Sequence, residues 1–108
     1  MSHAKLLGAN AAVLSAFPAR SRALLQLVEK NRFTEVGQIL AAFAASAIHP
    51  DFVCNVGAFV GTSDEVKRAA HEFFEQALSP GFTLDEAGAM LAWLTPHLQG
   101  WSGSALPR

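Results

Sequence analysis

The sequence predicts an all-α protein, folded as a single compact bundle of five or six short helices with the third helix at its centre. Of the 108 residues, 20 are alanine, which has the highest helix propensity. Valine, isoleucine and threonine together number 13, which is few for a protein built on a β-sheet. Apolar residues recur three and four positions apart along most of the chain, as on one face of a helix. The length suits one helical domain over residues 1–108.

The first two predicted helices cover about residues 3–16 and 19–31. Apolar residues continue at helical spacing through the first of them as far as Phe17. Pro18 suits the first turn of the second helix, because its fixed backbone angle is helical and its missing N–H is not needed there. Asn31 tolerates the left-handed conformation that ends many helices, so the second helix is expected to end there. Its inner face is predicted to hold Leu24, Leu27 and Val28.

The third predicted helix, about residues 35–48, is the most apolar of the set. Thr34 is the predicted N-cap, and an acidic residue follows it in the first turn. Residues 39–48 are apolar on almost every side, and such a helix is either central in its own fold or covered by a partner. Small residues recur every four positions and are expected to let another helix approach closely: Gly37, Ala41 and Ala45.

Residues 52–60 form a segment whose secondary structure the sequence leaves open. Their valines and phenylalanines suit a buried strand, but the apolar positions fit a helix face better than strict alternation. Pro50 before the segment and Gly61 after it are also typical of helix ends. We therefore predict a short fourth helix and keep a strand as the alternative.

Two further helices are predicted at about residues 63–78 and 84–95. Each starts at a capping box, one at Thr62 and one at Thr83, in which a threonine and a glutamate bond each other's free backbone amides. A proline ends the last helix, and residues 97–108 are predicted as a C-terminal tail. The inner faces are expected to contain Val66, Ala70, Phe73, Phe74 and Ala77 in the first of these helices, and Leu84, Ala87, Gly88, Leu91 and Leu94 in the second.

The charge distribution argues against a nucleic-acid partner. The formal net charge is −1, without the excess of positive charge that nucleic-acid-binding proteins carry. Residues 1–32 have a net charge of +4 and residues 33–108 a net charge of −5. The basic residues of the first part nevertheless spread around the helix instead of forming a stripe. We therefore predict no binding to nucleic acid.

Membrane binding is not expected either. No uncharged stretch reaches the roughly 18–20 apolar residues that span a bilayer as a helix. Cys54, the single cysteine, cannot form an internal disulfide, which fits the reducing cytoplasm. The predicted location is therefore cytoplasmic.

Candidate catalytic and metal-binding residues are few. No glycine-rich phosphate loop, Cys-x-x-Cys or His-Glu-x-x-His motif occurs. His71 and Glu75 lie one helical turn apart, but two ligands do not make a zinc site. Cys54 is the best candidate nucleophile, since a place in the first half of a short helix lowers a thiol pKa. No base is evident near it, so an inert cysteine is preferred, and we predict no catalytic residue, metal or cofactor.

The predicted function is protein interaction through apolar helix faces, with a homodimer or another protein as the expected partner. Helices that are apolar nearly all round leave too few polar residues to cover a 108-residue monomer. The predicted partner-binding residues are Met90, Trp93, His97 and Trp101, on a second face of the last helix and in the tail. The alternative is a small-molecule-binding protein or minor enzyme with an apolar pocket between helices, where His49, Cys54 or His97 would supply polar groups.

Overall fold

The computed structural model describes residues 14–101, with side chains described for residues 14–98. This part of the chain contains four complete α-helices and two 3₁₀-helices, joined by short turns and irregular segments. The α-helices are α1 (Ala19–Lys30), α2 (Glu35–Ile48), α3 (Asp64–Leu78) and α4 (Leu84–Leu94), and the 3₁₀-helices are η1 (Val56–Gly61) and η2 (Thr95–Trp101). Residues 14–101 contain no strand, and the all-α prediction is confirmed. Most of the first predicted helix, at 3–16, lies outside the described residues; Leu14 and Ser15 at its end are helical.

Helix α2 lies at the centre of the bundle, as predicted. It packs against α1, α3, α4, η1 and η2. This packing explains why its sequence is apolar on almost every side, because neighbouring elements of the same chain cover most of it. Its buried residues are Gly37, Leu40, Ala41, Ala42, Ala44 and Ala45.

The corner between α1 and α2 is held by close backbone contact. A Cβ atom on Gly37 would lie 2.2 Å from the Asn31 carbonyl oxygen, so no side chain fits there. The Thr34 hydroxyl donates to that same carbonyl at 2.6 Å and accepts from the Gly37 N–H at 3.1 Å. The predicted N-cap is therefore confirmed, and of the three predicted small residues Gly37 makes a close backbone contact, with the C-cap residue of α1.

The left-handed residue at this corner is Phe33 and not Asn31. Phe33 has a φ of 64°, whereas Asn31 has a φ of −106°. The Asn31 side chain instead donates from Nδ2 to the Leu27 carbonyl at 2.8 Å, which satisfies one of the free carbonyls at the end of α1. The positive φ at the end of α1 therefore lies at Phe33, two residues later than predicted.

Helices α1 and α3 pack side by side in opposite directions. Arg20, near the start of α1, forms an ion pair with Glu75, near the end of α3. The predicted inner face of α1 is confirmed, because Leu24, Leu27 and Val28 are all buried. On α3 the predicted residues Val66, Ala70 and Phe73 are buried as well.

The segment at 52–60 is only partly helical. Residues 52–55 are irregular, and the helical turn starts at Val56 as η1. The start is set by Asn55, whose side chain accepts a hydrogen bond from the Gly57 N–H at 3.0 Å. The short helix was therefore predicted too early by four residues, and the alternative strand does not form.

One of the two predicted capping boxes is present. Thr83 and Glu86 bond each other's backbone amides at the start of α4, as predicted. At the start of α3, however, Ser63 is the N-cap and accepts from the Val66 N–H. Thr62 instead donates its hydroxyl to the Phe59 carbonyl at the end of η1. The capping box predicted at Thr62 is therefore wrong: the N-cap lies one residue later, at Ser63, and acts without a partner glutamate.

The end of the described chain differs from the predicted tail. Residues 95–101 continue from α4 as η2, which packs against α2 and α4. The predicted tail therefore begins no earlier than residue 102, and residues 102–108 lie outside the described part. Within residues 14–101, no helix is both long enough and apolar enough to cross a membrane.

The inner faces of α3 and α4 were only partly predicted. Phe74, Leu84 and Gly88 were expected to face inward, but all three are exposed, Leu84 by 92%. Met90, expected on a second face, is fully buried, because α4 packs inward through Met90 and Leu94. A helix that is apolar on two sides does not by itself indicate which side is buried.

Candidate functional site

An open apolar groove of about 270 Å³ lies between η1 and α3. We call it the η1–α3 groove. At its base, the ring of Phe43 from α2 meets Phe59 edge to face, with centroids 5.2 Å apart. Phe74 from α3 lies 6.5 Å from Phe43 on the other side. The groove is lined by Phe43, Val56, Phe59, Lys67, Ala70, His71 and Phe74.

Large apolar side chains surround this groove and face solvent. Val56 and Val60 of η1 are 68% and 79% exposed, and Phe74 is 47% exposed. Leu78 follows Phe74 by one helical turn and is also exposed, so the apolar edge of α3 continues beyond the groove. Single exposed apolar residues are ordinary on protein surfaces, but a contiguous group beside a groove is typical of an interaction site.

Charged residues lie along the same edge of α3. Lys67, His71 and Glu75 follow one another at intervals of four residues, and His71 and Lys67 line the groove. The His71 Nε2 atom is 3.6 Å from a carboxylate oxygen of Glu75, whose other oxygen pairs with Arg20. Across residues 14–101, no group of three or more histidine, cysteine, aspartate or glutamate side chains is placed to hold a metal ion.

Of the predicted partner-binding residues, the three whose side chains are described, Met90, Trp93 and His97, do not form an exposed surface. Met90 is fully buried in the core. Trp93 is half-buried and stacks on His97, with ring centroids 4.6 Å apart. Trp101 lies in the last turn of η2, and its side chain lies outside the described residues. The prediction of a second, partner-facing side of the last helix is therefore corrected for Met90, which belongs to the protein's own core.

His97 connects η2 to α1. Its side chain is only 8% exposed, and its Nε2 atom lies 3.2 Å from a carboxylate oxygen of Glu29. Its Nδ1 atom is 3.2 Å from the Trp93 carbonyl. The other Glu29 oxygen is 3.4 Å from Nη1 of Arg32. These contacts turn His97 inward, which is why it is not part of an exposed apolar face.

A second cavity, of about 260 Å³, lies beside His97 at the corner between α1 and α2. We call it the Phe33 pocket. Phe33 is 87% exposed at this pocket, and the Arg32 guanidinium lies 5.2 Å from the centre of its ring. The pocket is lined by Val28, Arg32, Phe33, Gly37, Gln38, Pro96 and His97. It shares no residue with the η1–α3 groove.

His49 and Cys54 line neither cavity. His49 accepts a hydrogen bond at Nδ1 from the Asp51 N–H, 3.1 Å away. Cys54 is half-buried in the irregular segment before η1, and burial raises the pKa of its thiol. Cys54 precedes η1, so it does not lie in the first half of a helix as predicted. Of the three predicted pocket residues, only His97 lines the Phe33 pocket.

Sequence reasoning missed the groove, although one signal pointed to it. Phe73 and Phe74 are consecutive on a helix, where neighbouring side chains point about 100° apart. Only one of them can face the centre of the bundle fully, and Phe73 does so. An adjacent aromatic pair therefore predicts a partly exposed ring, here Phe74.

Comparisons with protein-family models, curated proteins and solved structures found no significant match to this chain.

Proposed function

We propose that this protein is a small helical interaction module that forms a homodimer through the η1–α3 groove. The observation that supports the proposal best is that two exposed apolar side chains, Val56 and Phe74, line an apolar groove. Burying such side chains contributes roughly 25 cal/mol per Å² of apolar surface removed from water. A protein partner is favoured over a small molecule, because small-molecule sites have polar groups converging on the ligand and this groove is almost entirely apolar.

The charges on α3 favour a second copy of the chain as the occupant. Lys67 and Glu75 are eight residues apart on α3, about 12 Å along the helix. If two α3 helices pack antiparallel about a two-fold axis near His71, Lys67 of each copy lies beside Glu75 of the other. The exposed ring of Phe74 then lies against the groove of the second copy. A two-fold axis requires a surface that complements itself, and this edge of α3 has that property.

The required contact area sets the extent of the interface. Stable dimers bury about 800 Å² on each subunit, about an eighth of the 6486 Å² surface of this chain. The groove alone is too small for this. The exposed edge of α3 as far as Leu78 and the outer side of η1 at Val60 are therefore expected to contribute. The proposed compartment remains the cytoplasm, which the free thiol of Cys54 favours.

Charge-reversal variants test the proposal by sedimentation over a concentration series. The wild-type chain is expected to sediment as a dimer at high concentration. Lys67→Glu alone and Glu75→Lys alone each place like charges together twice across the interface, so each is expected to weaken the dimer by about tenfold or more. Glu75→Lys also replaces the ion pair with Arg20 inside each chain, so Lys67→Glu is the cleaner of the two variants. An equimolar mixture of the two variants is expected to recover the dimer, because each contact in the mixed pair again joins opposite charges.

Two further variants make the test specific to the groove. Phe74→Ser is expected to abolish the dimer, whereas Leu84→Ser, which removes a still more exposed apolar side chain outside the groove, is expected to preserve it. Circular dichroism checks that each variant keeps its helices. A monomer mass for the wild-type chain throughout the series overturns the proposal, as does a mixture of charge variants that fails to associate.

A further inference from the structure

We propose that the Phe33 pocket binds a small monocarboxylate with a flat apolar body, such as an aromatic acid. This inference is independent of the proposed dimer, because the pocket and the η1–α3 groove have no residue in common. The pocket lies at the corner between α1 and α2, where η2 closes one side through Pro96 and His97.

Phe33 is the first argument for a ligand. It has a φ of 64°, a conformation that bulky residues rarely adopt, and its side chain is 87% exposed. Both features disfavour phenylalanine at this position, since glycine or asparagine would adopt the same backbone with less strain. Because the ring is exposed, it buries little apolar surface against residues 14–98, and this burial does not offset the backbone strain. Strained residues of this kind cluster at binding sites, where a ligand uses the side chain.

The second argument is the chemistry of the pocket wall. The guanidinium of Arg32 lies over the Phe33 ring and lines the pocket. Among the described residues, Arg32 has one hydrogen-bond acceptor, Glu29, which it contacts through Nη1 at 3.4 Å. An arginine has five N–H donors in a planar fork that matches a carboxylate. The fork can therefore bind a ligand carboxylate while the ring of Phe33, together with Pro96, contacts an apolar body.

The local charge selects a monoanion. Glu29 carries a negative charge next to the pocket, and its two oxygens face Arg32 and His97. This carboxylate repels a dianionic phosphate about twice as strongly as it repels a singly charged carboxylate, so the monoanion is preferred. The pocket volume of about 260 Å³ lies below the roughly 300–1,000 Å³ of drug-sized sites, which limits the ligand to about the size of benzoate.

The test is an NMR titration of the full chain with four probes. Benzoate is expected to cause saturable shifts of the backbone amides of Arg32, Phe33, Gln38 and His97. Benzamide has the same ring without the charge, acetate has the charge without the ring, and inorganic phosphate has a higher charge. Each of these three is expected to bind at least about tenfold more weakly. Shifts that do not saturate, or that lie elsewhere on the chain, overturn the proposal.

Variants separate binding from folding. Arg32→Gln is expected to weaken benzoate binding by at least about tenfold, whereas Arg68→Gln, the same change on α3 outside the pocket, is expected to leave it within twofold. Phe33→Asn is expected to weaken binding by about fivefold or more while its melting temperature equals or exceeds that of the wild-type chain. Equal affinity in Arg32→Gln overturns the proposal. A lower melting temperature in Phe33→Asn also overturns it, because the ring would then serve the fold.

Discussion

Gly37 and Phe33, both at the corner between α1 and α2, are constrained in different ways. Gly37 is constrained by the space for a side chain, and Phe33 by its backbone conformation. Gly37 has an ordinary helical backbone but no room for a side chain, because the Asn31 carbonyl occupies the place of its Cβ atom. Phe33 has room for its side chain but a backbone conformation that favours glycine or asparagine. A side chain at residue 37 would therefore push α2 away from the end of α1.

Substitution of Gly37 is expected to destabilise the protein. Gly37→Ala places a Cβ atom 2.2 Å from backbone that cannot rotate away, so the free energy of unfolding should fall by about 2 kcal/mol or more. Urea denaturation measures this change. The matched control is Gly88→Ala on α4, where a Cβ atom has no neighbour within 4 Å.

The control substitution is expected to have the opposite sign. Gly88 is exposed inside a helix, so alanine should raise the free energy of unfolding by about 0.5–1 kcal/mol through its higher helix propensity. If both substitutions change stability equally, the close approach of Asn31 to Gly37 does not control the packing of the corner.

Local patterns predicted the caps better than they predicted backbone reversal. Thr34 precedes an acidic first turn, and its hydroxyl bonds the helix start as expected. Asn31 is the residue type that commonly adopts positive φ, but its side chain bonds the Leu27 carbonyl instead. Since phenylalanine rarely has positive φ, no propensity would have placed the reversal at Phe33.

At the scale of single elements, substitutions at the start of α3 test whether Ser63 is its N-cap. Ser63→Ala should lower the free energy of unfolding by about 1 kcal/mol, because the Val66 N–H loses its acceptor. Glu65→Ala should lower it by about 0.5 kcal/mol or less, since Glu65 contributes only its charge near the helix start. Thermal or urea unfolding provides both values.

The capping box at the start of α4 provides the reference for this comparison. At the start of α4, Thr83 and Glu86 bond each other's amides, so alanine at either position should be costly. An equal loss from Glu65→Ala and Ser63→Ala would instead indicate that α3 begins with the capping box predicted at Thr62.

Helix positions were more predictable than helix orientations. The ends of α1, α2, α3 and α4 lie within one or two residues of their predicted bounds, because caps and prolines act locally. Which side of α4 is buried depends on its neighbours, and the sequence showed apolar residues on both sides. Met90 was therefore assigned to the wrong side, and Leu84 was expected to be buried although it is 92% exposed.

On the scale of the whole molecule, α2 is expected to be the most protected element in hydrogen exchange. Because it contacts α1, α3, α4, η1 and η2, its amides cannot open unless those contacts are lost. The amides of residues 40–45 should therefore exchange only through global unfolding, with a free energy equal to that from urea denaturation. Residues 52–55, which lie between helices, should exchange fastest within the described chain.

A different order of exchange would contradict this account. If the α2 amides exchange before those of α3 or α4, the bundle opens around its centre and α2 is not the element that holds it together. Hydrogen exchange of the wild-type protein should be measured at concentrations below those at which it dimerises and compared with that of Phe74→Ser. Association then does not add protection.

The candidate sites depend on contacts between elements that are distant in the sequence, which is why the sequence alone did not reveal them. The η1–α3 groove joins Phe43, Phe59 and Phe74 from three separate helices. The Phe33 pocket joins the α1–α2 corner to His97 of η2. Periodicity within one helix predicts which residues share a face, but it does not predict which faces meet.

The contact between α2 and η2 has a consequence for how the protein is made. Residues 95–101 cover part of α2, yet they leave the ribosome 47 or more residues after its last residue, Ile48. At about 5–20 residues per second, synthesis of that interval takes roughly 2–9 seconds. Throughout that time the most apolar helix of the chain lacks part of its cover. Until residues 95–101 emerge, part of the apolar surface of α2 is therefore accessible to chaperones.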